Sequence, residues 1–511
     1  MKATYISYQK TQKFSRLVTD YLAQSVDLLP YVSAFPTIEG FKERIAQKST
    51  QIVDRDILVS VLGRQNAYLS LSDSSQKNIK SLAEEHTFTV TTGHQLCLFT
   101  GPLYFIYKII STINLTQELK AKYPDKYFVP VFWMASEDHD LEEVNHIHLF
   151  GKNIRWKTEQ KGAVGSMNLE GMGDVLQELK SILGESENAQ ALMQLFSEAY
   201  LKHQSLAEAM RYLVNELFGE YGLVILDGDD ARLKKQFVST IKKDVLQQGF
   251  QKTIADCSSQ LAVNYKAQAY VRPINFFRLS DGGRVRIERR VEEQEIESNP
   301  ENFSPNVLMR PLYQETILPN LAYIGGGAEV AYWLQLKTAF EQENIPFPIL
   351  VLRNSVMWVH ANRSKKMMQL ELSVNDLFLE EQELHKQYVT KDSGKALDLQ
   401  EEIKDLEQLF ESIILKTSDE GMKSAVRAEL QKQIKSLQSL EKRLLKSEKK
   451  QHETALQQIS KLKNSLFPNN SLQERYDNFI PYYLKHGENF IKILQSELNP
   501  LESNFVILSP Q

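Results

Sequence analysis

The residues best equipped for chemistry fall in clusters, each placed directly after a short apolar run. Thr92-Gly93-His94-Gln95 ends the run Thr87–Thr92, and Ser136-Glu137-Asp138-His139-Asp140 follows Val129–Met134. Asp227-Gly228-Asp229-Asp230 follows Leu223–Leu226, and Arg353-Asn354-Ser355 follows Pro348–Leu352. Imidazoles beside carboxylates suit proton transfer, since histidine titrates near neutrality and a neighbouring carboxylate orients its ring. Any one cluster also reads as the cap of a following helix, because Ser, Asp and Asn are common caps. That every cluster is dense in functional side chains favours a shared site. His139, Glu142 or Glu143, and His146 stand at helical spacing and are residue types that zinc accepts. No His-Glu-x-x-His or paired-cysteine motif accompanies them, so no tightly bound metal is expected; magnesium arriving with a nucleotide is the favoured ion.

Two glycine-rich turns are candidates for holding an anion. Thr100-Gly101-Pro102-Leu103 leads into a helix from Tyr104, and Tyr323-Ile324-Gly325-Gly326-Gly327-Ala328-Glu329 leads into one through Tyr332-Trp333. Glycines let backbone amides approach a phosphate, and a helix start offers free N–H groups. Neither turn matches a Walker loop or a complete dinucleotide fingerprint, and close strand–helix packing explains the glycines nearly as well.

The elements that must position these groups follow from the pattern of the chain. The four apolar runs are short, bounded by polar residues and separated by helical stretches such as Tyr104–Leu119 and Ala331–Gln342. That alternation predicts an α/β fold, an open, doubly wound parallel sheet covered on both faces. Ligands bind such sheets at the carboxyl ends of the strands. His94, Asp138, His139, Asp227 and Glu329 are therefore expected to share one pocket. After about Asn375 the text changes to Lys, Glu, Gln and Leu. Leu399, Ile403, Leu406, Phe410 and Ile413 mark one heptad seam, and Val426, Leu430, Ile434, Leu437 and Leu444 a second, on either side of a turn at Thr417–Gly421. The expected organisation is a catalytic core at 1–375, a helical coiled-coil hairpin at 376–468 and a tail at 469–511 returning to the core. The second helical run is the longer, so a protruding apolar stripe is expected to be covered by a second hairpin. This predicts a homodimer through about Leu397–Leu466.

Composition narrows the function classes. Of 511 residues, 42% are hydrophobic and 24% charged, as in ordinary globular proteins, and the net charge of -5 offers no positive field for nucleic acid or anionic membrane. Two cysteines, Cys97 and Cys257, make no disulfide framework and fit a reducing compartment. Met1–Lys10 holds no apolar signal core, and no run reaches the length of a membrane helix. A cytoplasmic protein is expected, with no nucleic-acid or membrane partner and with Cys97 serving as packing.

The motifs taken together resemble a family. Thr91-Thr92-Gly93-His94-Gln95 with Thr100-Gly101-Pro102-Leu103-Tyr104, then Trp133-Met134-Ala135-Ser136-Glu137-Asp138-His139-Asp140 and Asn145-His146, are similar to the cysteine ligases of bacillithiol biosynthesis (BshC). So are Arg310-Pro311, Leu318-Pro319 and Leu321-Ala322-Tyr323-Ile324-Gly325-Gly326, continuing through Glu329-Val330-Ala331-Tyr332-Trp333. The chain departs from the family at Gly93-His94-Gln95, where Gly-Gln-Gln is usual, and at Gly325-Gly326-Gly327-Ala328-Glu329, where Gly-Gly-Pro-Gly-Glu is usual. The resemblance implies a Rossmann-like core akin to class I aminoacyl-tRNA synthetases, with inserted connecting segments and a C-terminal coiled coil. It implies that L-cysteine is joined to the amine of glucosaminyl-malate, with ATP activating the carboxylate.

On that reading His94 and Gln95, with Thr92, Gly93, Gly101, Gly325, Gly326 and Gly327 at the nucleotide, stabilise negative charge. His139 is the base for the attacking amine, oriented by Asp138 or Asp140. Asp227 or Asp229 binds an ammonium group, Arg310 and Arg353 the malate carboxylates, and Tyr104, Asn145, Tyr323, Glu329 and Ser355 further parts of the substrates. Two rivals differ in class: a synthetase-like nucleotidyl transferase acting on another substrate, and a non-catalytic scaffold. The segment Asn362-Arg363-Ser364-Lys365-Lys366-Met367 lacks the order of a synthetase signature loop and reads better as a basic helix start.

Overall fold

The computed structural model describes residues 1–280, 283–288, 291–393 and 398–510. They divide into two compact units, one of Met1–Met357 with Leu472–Leu508 and one holding Trp358–Ser471. The second unit thus begins ahead of the expected residue 376.

The first unit is built on a parallel sheet of five strands: β1 (Thr87–His94), β2 (Tyr127–Met134), β3 (Val224–Asp227), β4 (Asn320–Gly325) and β5 (Ile349–Leu352). Their spatial order is β5-β4-β1-β2-β3. β1 is buried at every position, as befits the middle strand of a sheet covered on both faces. Phe88 and Val90 of β1 join Phe128, Leu321, Ile324, Ile349 and Val351 in one apolar cluster with Leu115 and Leu119 of the helix α1 (Tyr104–Lys122). This is a doubly wound arrangement, and its order reverses between β1 and β4. Four strands coincide with the apolar runs of the sequence; β4 does not. It occupies the approach to the second glycine turn, where Pro319 and the glycines punctuate a run of only Leu321–Ile324 and conceal it.

Register brings the strand ends together. Gly93 pairs with Trp133, His94 with Met134, Met134 with Asp227, and Gly325 with Leu352. Two small antiparallel sheets are inserted between the main strands. One joins His146–Leu149 to Lys152–Arg155; the other sets Phe276–Ser280 between Gly283–Arg286 and Phe303–Pro305. The first corrects the helical spacing expected from His139 to His146: the helix there is only Leu141–Val144, and His146 opens a strand. Two helices flank β4, α2 (Met309–Ile317) before it and α3 (Gly327–Trp333) after it. The helix expected over Ala331–Gln342 is broken, with a 3-10 turn at Leu334–Leu336 between α3 and Lys337–Gln342.

The second unit is helical: α4 (Glu381–Ser393), α5 (Gln400–Ile414), α6 (Glu420–Gln451) and α7 (Glu453–Leu466). Ile403, Leu406 and Phe410 of α5 meet Leu430, Ile434 and Leu437 of α6, the two heptad seams closing on each other. The surplus length of α6 is partly covered, because α4 packs on one face of it while Leu440 and Leu444 stay exposed. Leu384 and Val389 of α4 cluster with Leu445, Leu456 and Ile459. Leu397, the expected start of a dimer contact, lies outside the described residues. No helix among the described residues is long and apolar enough to cross a membrane.

Candidate active site

A cavity of about 620 Å3 opens where the sheet order reverses, over the carboxyl ends of β1, β2 and β4. Gly93, His94 and Gln95 come from β1 and the turn after it, Trp133 to Ala135 from the end of β2, and Glu137 and Asp138 from the next turn. Tyr104 and Lys108 project from α1, Arg310 from α2, Tyr323 from β4, and Glu329 and Tyr332 from α3. The inserted sheet supplies Phe277, Arg284 and Pro305.

Its floor is a charged cluster. Lys108 pairs with Glu329 Oε2 at 2.5 Å and donates to Gly93 O at 2.8 Å. Glu329 also accepts from the Tyr323 hydroxyl at 2.6 Å and the Gly326 N–H at 2.8 Å. Burial works against charge on Glu329, yet Lys108 and these donors hold its carboxyl below the usual range. Burial depresses Lys108 in turn. Arg310 lies among the rings of Trp133, Tyr323 and Trp333, at 5.8, 5.3 and 5.9 Å.

His94 is buried, and its Nδ1 is 3.0 Å from the Gln95 carbonyl. A carbonyl can only accept, so Nδ1 carries the proton and Nε2 the lone pair. Burial, with Lys108 adding to it, pushes the imidazole down to about 3, so His94 is neutral near pH 7. It can accept a hydrogen bond at Nε2 but supplies neither a donor nor a positive charge. Gln95 Nε2 bridges Asp138 Oδ2 at 2.7 Å and Glu143 Oε2 at 2.8 Å. His139 stands beside two lining residues, its ring 6.1 Å from Phe277 and its Nδ1 3.7 Å from Asp138 Oδ1, half exposed and outside the cavity wall itself.

The cavity therefore collects Gly93, His94, Gln95, Tyr104, Asp138, Arg310, Tyr323 and Glu329 of the expected residues. Others are drawn elsewhere, each for a visible reason. Asp227 is held beneath the wall by the Ser136 hydroxyl at 2.5 Å and Arg211 at 3.9 Å; burial raises its carboxyl to about 6 against these partners. Asp229 is bound by Lys234 at 2.8 Å. Arg353 pairs with Glu474 at 2.8 Å, and Ser355 donates to the same carboxylate at 3.1 Å. Asn145 engages His146 at 3.2 Å, while Asp140 is exposed.

Most donors of the expected phosphate cradle already have partners within the protein. Thr92 donates to Ile324 O at 2.8 Å, and the Gly326 amide is taken by Glu329. The Gly101 and Leu103 amides donate to Leu98 O and Asp477 O, both at 2.8 Å. Gly101 serves packing instead: at φ +65° an added Cβ would meet Cys97 Cβ at 2.6 Å. Gly325 and Gly327 lie outside the cavity, with Gly327 lining a separate cleft. Among the described residues no group of three or more His, Cys, Asp and Glu is placed to hold a metal ion.

Sequence reasoning missed Lys108, Glu137 and Arg284. Lys108 had a signal, being the one charge in an apolar helix start, four residues after Tyr104 and so on its face. Glu137 stood within a noted cluster. Arg284 had none, since its strand docks only through the fold.

A Rossmann-like α/β core with its ligand cavity at the switch point, followed by a helical unit, is the class that fold and site define. Residues 1–354 match the family model for "Bacillithiol biosynthesis BshC, N-terminal Rossmann-like domain", and residues 356–510 that for the BshC C-terminal coiled-coil domain. A protein of Flavobacterium johnsoniae named "Putative cysteine ligase BshC" is 45% identical, with 100% of both chains covered. Proteins of the same name from Flavobacterium psychrophilum and Christiangramia forsetii are 45% and 43% identical over at least 99% of each chain. The chain belongs to the BshC family of bacillithiol biosynthesis.

Proposed function

We propose that this protein is a cytoplasmic ligase that joins the carboxyl group of L-cysteine to the amine of glucosaminyl-malate, forming an amide. The observation that carries the reading is a single cavity lined by both carboxylates and a guanidinium that has no carboxylate partner among the described residues. Arg310 Nη2 makes no close hydrogen bond among the described residues, although the Tyr332 hydroxyl lies against the guanidinium, whereas Asp138 and Glu137, the latter paired with Lys234 at 2.6 Å, line the same space. A dicarboxylate suits the first and an amine the second. Arg272 and Arg284 add positive charge at the same cavity.

A carboxylate and an amine do not condense unaided in water, so a leaving group on cysteine is required and ATP is the proposed donor. Because most donors of the expected cradle already have partners within the protein, no residue is assigned to its phosphates. The chain's own part is to orient both substrates, exclude water and take up the amine proton. Asp138 and His139 are proposed for the last task, and His94 Nε2 as an acceptor within the cavity. The test is incubation of pure protein with cysteine, glucosaminyl-malate and ATP, with mass detection of the thiol product. Absence of product, with an unchanged glucosaminyl-malate pool in a deletion strain, would indicate a scaffold instead.

The reading includes a homodimer through the second unit, supported by the exposed Leu409, Leu440 and Leu444. Leu430 and Leu437 face the internal seam, so they are unsuitable probes. Leu440→Glu with Leu444→Glu should give monomers in light scattering; wild-type protein that is monomeric at micromolar concentration defeats the idea.

A further inference from the structure

Arg310 shares α2 with Gln314, one turn on, and with Glu315. Arg310 Nη1 donates to Gln314 Oε1 at 2.8 Å, and Gln314 Nε2 donates to Glu315 Oε1 at 2.9 Å. Glu315 Oε2 receives Lys48 Nζ at 2.7 Å, with both charged side chains 0% exposed. The same Glu315 Oε1 accepts from Asn320 Nδ2 at 2.6 Å, leaving Asn320 Oδ1 for the hydroxyls of Thr89 and Thr91 at 3.0 and 2.8 Å.

An amide has one accepting end and one donating end. Were Gln314 reversed, its NH2 would face a guanidinium and its carbonyl a carboxylate. Two hydrogen bonds would become two repulsions at a residue with no exposed surface. The buried carboxylate therefore sets the amide, and the amide sets which nitrogen of Arg310 is engaged. Nη1 is used and Nη2 is left unpaired on a residue lining the cavity.

We infer that Gln314 is a positioning residue: oriented by the Lys48–Glu315 pair, it holds Arg310 so that the Nη2 edge meets one carboxylate of the substrate. The inference rests on glucosaminyl-malate being that substrate. It makes Arg310 a specificity determinant, because a ligand without the carboxylate leaves the edge unpaired.

The experiment measures calorimetric binding of glucosaminyl-malate and of glucosamine, together with KM and kcat, for Gln314→Met, Arg310→Met and the double variant. Gln314→Met should weaken glucosaminyl-malate binding roughly 10-fold to 100-fold, leave glucosamine binding unchanged, and raise KM with kcat within about threefold. The double variant should bind no worse than Arg310→Met alone. Thr91→Val removes a hydrogen bond of the same network without touching the path to Arg310, and should leave binding unaltered. Should Gln314→Met fail to fold, Gln314→Leu, smaller and likewise without an acceptor for Arg310, should lose the same preference. Wild-type affinity in the Gln314 variants, or equal losses for both ligands, overturns the inference while the function stands. Wild-type affinity in Arg310→Met likewise overturns the inference, by removing Arg310 from the carboxylate site, whereas failure of the wild-type protein to bind glucosaminyl-malate overturns the substrate reading itself.

Discussion

Arg310, partly buried, and Arg353, buried, both lie near strand ends of one sheet, and they differ in whether the fold supplies a counter-charge. Arg353 has its counter-charge: Nη2 meets Glu474, and Nη1 is shared by Asn354 O at 3.0 Å and Ser355 Oγ at 3.2 Å, with only Nε left without a partner among the described residues. Glu474 in turn accepts the Val356 N–H at 3.0 Å and has no exposed surface. Arg310 has aromatic rings, the Tyr332 hydroxyl and one amide instead, and no carboxylate pairs with it among the described residues. A guanidinium is a binding group only where the fold withholds its counter-charge. The first arginine braces a structure and the second waits for a partner.

The contrast breaks first at Glu474. Glu474→Gln leaves Arg353 buried without its counter-charge and should cost about 3–5 kcal/mol in urea unfolding, while KM in the folded fraction stays near wild type. A large KM change would place Arg353 in the site after all. Arg310→Met should do the reverse, lowering kcat/KM about 100-fold with an unfolding midpoint at or above wild type.

The acid limb sharpens the comparison at His94. Its folded pKa, about 3, lies below the unfolded value, so its stabilising contribution is present above about 6.5 and lost as pH falls toward 3. From pH 7 to pH 5 this amounts to about 2 kcal/mol, and His94→Gln, the residue usual in the family, should remove that slope in denaturant titrations. The smallest effect belongs to Cys97, whose Sγ lies 3.8 Å from His94 Nδ1 and whose thiol is pushed up to about 12 by burial and Glu143. Cys97→Ser should change turnover less than about twofold. Abolished activity with a trapped covalent adduct would make it a nucleophile.

What the sequence disclosed follows from what local pattern encodes. The apolar runs and the polar clusters after them located the sheet and its working edge, because strand burial and strand ends leave marks within a few residues. The hairpin seams were equally plain. Partnership across long distances was not. Nothing near Arg353 announces Glu474. Asp227 looked as available as Asp138, although Ser136 and Arg211 draw it into the wall. β4 escaped because its run is short and its neighbours are proline and glycine.

The pairing of Arg353 with Glu474 spans 121 residues, and that separation has a meaning in time. A ribosome adding roughly 5–20 residues per second emits Arg353 about 6–24 seconds before its counter-charge. The whole helical unit is synthesised in that interval. Through that wait the nascent first unit carries a cation it cannot bury without cost, so its last closure is timed by translation rather than by collapse.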